Sequence, residues 1–272
     1  MTRLYHSTLF TVVNKTSPDE LIVQSTLLAT GWEATATIRA ATATFAIDDA
    51  RWVVCRSPGG KQNGGRAVPA LIGVAACLGS GPALRAAAGG EGDLAYSLLT
   101  ECVKGIIQAE TYLFRERGFR DATAYEKSWK ENYTGSCRLY SNKEYTRRSW
   151  YEHIADRAWS DLLFTRSKTA AVTAVDNSAV TVAGSFIDSF HEIGASLAVR
   201  GDTVTAADGG FLRAPDDLCP SSAAVLASLV GTPLADLDRK GISSRLGGPQ
   251  GCTHLADLIT HMLNALQSYG RG

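Results

Sequence analysis

The sequence predicts an α+β fold of two repeated units, each an antiparallel sheet covered by helices, with a helical insertion between them. Three observations predict it. Strand-rich runs joined by tight turns occur at the start of the chain and again after residue 166. Each set is followed by helical segments of similar order, and the stretch between the sets has a composition of its own.

The first copy opens with Leu9 to Leu28, two β-rich runs around a Pro18-Asp19 turn, then Trp32-Glu33 and a strand ending in Ile38-Arg39. A Pro and Gly segment leads to an Ala/Val/Leu helix, a turn at Gly79 to Pro82, a Gly-rich loop and a final amphipathic helix. The second copy repeats this script. It runs from Ala170 to Ile187 around an Asp176-Asn177 turn, through His191-Glu192 and Val199-Arg200, to a turn at Gly231 to Pro233 and the closing helix. In that helix Leu255, Leu258, Ile259, Met262, Leu263 and Leu266 recur at the spacing of one buried face. Laying Leu98 on Leu258 keeps the pattern in step to Ile106 and Leu266. The expected divisions are therefore 1–109, 110–166 and 167–272.

Composition narrows the function. The chain has 272 residues with 27 basic and 27 acidic side chains, so it lacks the cationic excess that phosphate neutralisation requires. Neither nucleic acid nor membrane is an expected partner: the start has no apolar leader, and the longest apolar run, Ala67 to Leu78, is about half a membrane span. Six scattered cysteines without C-x-x-C spacing read as reduced thiols in a cytoplasmic protein. A small aromatic molecule is the expected partner, and a homodimer is left open.

Residues 110–166 hold three of five Trp, six of nine Tyr and three of eight Phe, interleaved with Arg and Lys. Such a mixture suits a cage for an aromatic or anionic ligand, and equally two amphipathic helices packed by their rings. Helix is expected over Thr123 to Asn132. The run Tyr133-Thr-Gly-Ser-Cys-Arg-Leu-Tyr-Ser-Asn142 follows as a loop, with the next helix starting near Ser141 or Asn142. Its phenols, thiol and guanidinium make it a candidate catalytic loop, or a capped turn with Tyr plugs.

The second candidate is Gly247-Gly-Pro-Gln-Gly-Cys-Thr-His-Leu255, where a Gly-rich loop enters the closing helix. Exposed N–H groups there would stabilise an anion and depress the Cys252 thiol. His254, Asp257 and His261 are expected along the polar edge of the helix, with Asp257 orienting an imidazole. Thr253 capping, a packed Cys252 and solvated histidines form the plain structural alternative. A metal held by Cys252, His254 and His191 is a further alternative, and no metal is expected. The loop Ser57 to Arg66 lacks the P-loop order and reads as flexible, and no dinucleotide, kinase or hydrolase-elbow motif occurs. No cofactor is implied.

The stretch Leu246-Gly-Gly-Pro-Gln-Gly-Cys-Thr-His-Leu-Ala-Asp-Leu258 resembles the bacterial family called domain of unknown function 2889. The run from Ala109 to Phe119 and on through Tyr133 to Asn142 is similar to longer members of that family. The chain also resembles, with no carrying motif, the γ-formaldehyde lyases of bacterial lignin-dimer breakdown. That resemblance implies a lyase acting on a phenolic compound by acid–base chemistry alone. Tyr133, Tyr140 or His254 would exchange protons, Arg138 and Lys127 would hold the phenolate, and Trp129, Trp150 and His191 would contact the substrate. The competing expectations are a non-catalytic module that binds an aromatic acid and a thioester or small-acid hydrolase using Cys252.

Overall fold

The computed structural model describes residues 2–60, 63–149, 152 and 161–270. They form an α+β protein with antiparallel sheet and helices, in two compact units. Among the described residues, the N-terminal unit holds 9–60, 63–125 and 161–166, and the C-terminal unit holds 2–8, 126–149, 152 and 167–270.

In the N-terminal unit the strands are β1 (Thr2–Ser17, from Leu9 onward), β2 (Glu20–Ala29), β3 (Trp32–Ala41), β4 (Ile47–Arg56) and β5 (Gly64–Ala67), in the order β5-β4-β3-β2-β1. Alternation explains them: Ala34, Ala36, Ile38 and Ala40 of β3 are buried while the residues between them are less so. Helix α1 (Gly81–Ala88) precedes α2 (Asp93–Ala109), which lies on β2 and β3 with Leu98, Leu99 and Ile106 fully covered. The approach is close. A Cβ at Gly105 would stand 3.0 Å from Thr11 Cγ2 and 3.1 Å from Val13 Cγ2, so glycine sets the helix-to-sheet distance.

The C-terminal unit contains β6 (Leu162–Ala174, from Ser167 onward), β7 (Ala179–Asp188), β8 (Glu192–Arg200) and β9 (Thr203–Arg213), neighbours in that order. Most of α3 (Ala122–Asn132), the single turn α4 (Arg138–Ser141), a 3-10 run over Cys219–Leu229, α5 (Arg239–Leu246) and α6 (Thr253–Tyr269) complete it. Helix α6 lies on β7 and β8, with Leu255, Leu258, Ile259 and Met262 fully buried.

Three expectations are corrected. The helix after Asn132 starts at Arg138, before Ser141, because Gly135 takes φ +80° and the Arg138 N–H is committed to Gly251 O at 2.9 Å. No Ala/Val/Leu α-helix precedes Gly79. The chain there makes only a short 3-10 turn at Pro69–Leu71, and Ala75 bridges Ala46 in extended form, as suits a segment holding Val68, Ile72 and Val74. The Ala/Val/Leu helix expected before Gly231 is instead a 3-10 run over Cys219–Leu229. Among the described residues, no helix is long and apolar enough to cross a membrane.

Candidate functional site

The β7–β8 connection carries an unusual set of polar side chains. Asp188 ends β7, and its Oδ1 accepts the backbone N–H groups of Phe190 (2.9 Å) and His191 (2.8 Å), which fixes the turn. The same oxygen lies 3.0 Å from His191 Nδ1. A carboxylate accepts, so in this contact Nδ1 is the donor. The pair is deep, with side-chain exposures of 0% for Asp188 and 6% for His191.

His254, on the first turn of α6, reaches the same place from the helix. Its ring centroid is 3.8 Å from that of His191, with the planes 31° apart, and Phe186 meets it edge-on at 5.3 Å. One donor atom from each of Asp188, His191 and His254 lies within 4.8 Å of the other two, so these residues could hold a cation. Cys252 Sγ sits 3.9 Å from His254 Nδ1.

The thiol expectation is overturned. Burial pushes Cys252 up to about 12, and it outweighs the lowering effect of the N–H groups of Leu255 and His254 at the helix start. Cys219 is also raised to about 12, by burial first and then by the nearness of Cys252. Cys252, with no side-chain cap bond, occupies the N-cap position that the plain structural alternative gave to Thr253.

The polar edge of α6 is corrected too. His261 is buried, because it falls within the Leu258 to Met262 stripe, and its Nε2 is 3.2 Å from Ser7 Oγ. Asp257 accepts from Lys168 Nζ at 2.9 Å. Sequence reasoning missed Asp188 and Lys168. The signal for Asp188 was present, an Asp three residues before a His at a strand end.

The aromatic loop lies alongside the loop leading into α6. Gly248 N donates to Ser136 O at 3.2 Å, Arg138 N to Gly251 O, and Arg138 Nη1 to Gln250 Oε1 at 2.7 Å. Trp129 stacks on Tyr133 at 4.4 Å and donates from Nε1 to the Tyr140 hydroxyl at 2.7 Å, while Tyr133 and Tyr140 are 5.7 Å apart. Thus Trp129, Tyr133 and Tyr140 form one trio, and Arg138 belongs to the strip bonded to residues 248–251. Lys127 is exposed on α3, and Trp150 lies outside the described residues.

Residues 163–267 match the family described as protein of unknown function DUF2889. The DUF2889 segment spans β7, β8 and most of α6, and so includes all three cluster residues and Cys252. No curated protein and no solved structure matches the chain.

Proposed function

We propose that this protein is a cofactor-independent lyase that moves protons on a phenolic aromatic compound, with Asp188, His191 and His254 as its acid–base centre. The observation that carries the reading is the buried Asp188–His191 hydrogen bond, which orients one imidazole, beside a second imidazole 3.8 Å away. Phe186 gives the centre an apolar wall. The ring trio of Trp129, Tyr133 and Tyr140 belongs to the segment bonded to the α6 loop and suits an aromatic ligand. Arg138 is the proposed partner of the phenolate.

The chemistry needs no added electron sink. Loss of the phenolic proton drives out a benzylic oxygen substituent and leaves a quinone methide. His191 then removes the proton of a neighbouring hydroxymethyl group. The carbon–carbon bond breaks, formaldehyde departs, and the electron pair forms a new C=C while restoring the aromatic phenolate. The departing oxygen takes one proton and the phenolate regains the other, so atoms and electrons balance.

The test is incubation of the full chain with phenolic dimers bearing a hydroxymethyl group, following trapped formaldehyde and the absorbance of the conjugated product. Formaldehyde release that His191→Gln and His254→Gln both abolish supports the reading. No formaldehyde from any such dimer, or full turnover in both variants, overturns it. A thiol hydrolase is disfavoured by the burial of Cys252, and alkylation that leaves activity intact would separate the two classes.

The same proposal includes a duplicated origin for the two units, supported by the matched registers and bulges discussed below. A cytoplasmic location is supported by six free cysteines. A homodimer is the assembly to test first by light scattering.

A further inference from the structure

We infer that Asp188, His191 and His254 bind one divalent transition cation of the zinc or cobalt class, and that the ion silences the site by occupying the imidazole lone pairs. Among the described residues this is the one group whose donor atoms converge so closely. Two imidazole nitrogens and a carboxylate oxygen, all within 4.8 Å of one another, need a contraction of roughly 1 Å or so to surround an ion with metal–ligand distances of about 2.0–2.2 Å. Imidazole donors select zinc, cobalt or nickel over magnesium and calcium, which prefer oxygen.

The setting strengthens the inference. Asp188 and His191 are withdrawn from water, so a cation there meets little competition from solvent. The Asp188 carboxylate supplies negative charge and is itself anchored by two backbone N–H groups, and an ion shared by Asp188 and His191 takes the place of the proton on Nδ1, which leaves to solvent. Cys252 Sγ adds a soft atom beside His254. The inhibitory sense rests on the acid–base reading above, because a lone pair bound to a metal cannot accept a proton. The binding does not rest on it.

The experiment uses the full chain after chelator treatment, titrated with Co2+ in the visible range and with Zn2+ by calorimetry. One ion per chain is expected. His191→Gln and His254→Gln should each weaken uptake about 10- to 100-fold, while His6→Gln should not. Far-UV circular dichroism confirms that each variant is folded, and Asp188→Asn supplies a milder substitution that should also weaken uptake. Absence of stoichiometric uptake, or uptake unchanged in all three site variants, overturns the inference. Where the protein releases formaldehyde, Zn2+ should stop it and chelator restore it, and stimulation by Zn2+ overturns the inhibitory sense. Uptake without any formaldehyde release sinks the lyase reading and leaves the metal site standing.

Discussion

In the N-terminal unit Val23 faces Ile38 across β2 and β3, and Ala29 faces Trp32 at the hairpin end. In the C-terminal unit Val182 faces Leu197 across β7 and β8, and Asp188 N donates to His191 O at the corresponding end. The next pairing, β3 to β4, slips after Glu33 and after Arg39, and β8 to β9 slips after Glu192 and after Ala198. Arg56 donates to Ala29 O and Trp32 O, as Arg213 donates to Asp188 O and His191 O. The helices agree as well, with Ala95, Leu98, Leu99, Glu101, Cys102 and Val103 buried on α2, and Leu255, Leu258, Ile259, His261, Met262 and Leu263 buried on α6.

Against so close a frame the differences are informative. Under the proposed duplication, Asp188, His191 and His254 of the C-terminal unit correspond to Ala29, Trp32 and Leu94 of the N-terminal unit. The frame is therefore satisfied by a methyl, an indole and an isobutyl group. Asp188 fixes its own turn through Phe190 N and His191 N, but that task does not call for two imidazoles beside it, and desolvating a carboxylate costs free energy unless it is paired. The proposed acid–base role accounts for keeping such a group.

The comparison breaks most severely at the cluster. His191→Gln and His254→Gln should each lower turnover by about 10²- to 10⁴-fold, the range for loss of a positioned acid or base. Trp32→His in the N-terminal unit should leave turnover unchanged. Steady-state rates on a phenolic dimer check this, and equal losses from Trp32→His would remove the distinction between the units.

Stability gives the next largest effect. Ala29→Asp places a carboxylate on a buried site built for a methyl and should destabilise the protein by about 3 kcal/mol, as an uncompensated buried charge does. Asp188→Ala leaves the N–H groups of Phe190 and His191 without their acceptor and should cost less, about 1–3 kcal/mol in a urea melt, while abolishing activity. A larger loss for Asp188→Ala than for Ala29→Asp would mean that the carboxylate holds the hairpin together.

The helix-to-sheet spacing sharpens the comparison further. Gly105→Ala pushes a methyl against Thr11 and Val13 and should cost about 1–3 kcal/mol by overpacking. The residue at the same place in α6 is Ala265, and Ala265→Gly should cost about 1 kcal/mol through backbone freedom and a small void. Thermal melts of the two variants check the sign and order.

Much of the frame was legible because it is periodic. The strands alternate, Leu258 to Leu266 keep helical spacing, and the Asp176-Asn177 turn announces its hairpin. The segment at 67–78 was misread because apolar content does not distinguish a helix from an extended run, and only the β-branched residues hinted at the outcome. At the site, His191 and His254 were legible as candidate residues and, with Cys252, as an alternative ligand set, but their 3.8 Å approach depends on the β7–β8 turn and α6 meeting in space. The Cys252 error has a similar root. Helix-start N–H groups are readable from sequence, whereas the burial that outweighs them is tertiary. Lys168 looked like an ordinary strand cation for the same reason, since its partner Asp257 lies on a distant helix.

The smallest expected effect concerns the two arginines. Arg56 and Arg213 are exposed, and each hydrogen-bonds the carbonyls at a hairpin end, so Arg56→Met and Arg213→Met should each cost about 1 kcal/mol. Their consequences should nevertheless diverge. Arg213 holds the carbonyls of Asp188, Ser189 and His191, the turn that aims the carboxylate at the imidazole, whereas Arg56 holds a turn with no such pair. Arg213→Met should therefore lower kcat with little change in KM, as befits a positioning residue, and Arg213→Lys should recover part of it. Arg56→Met should leave both constants unchanged. Equal kinetic behaviour of the two variants would show that the hairpin end of the C-terminal unit is as indifferent to its chemistry as that of the N-terminal unit.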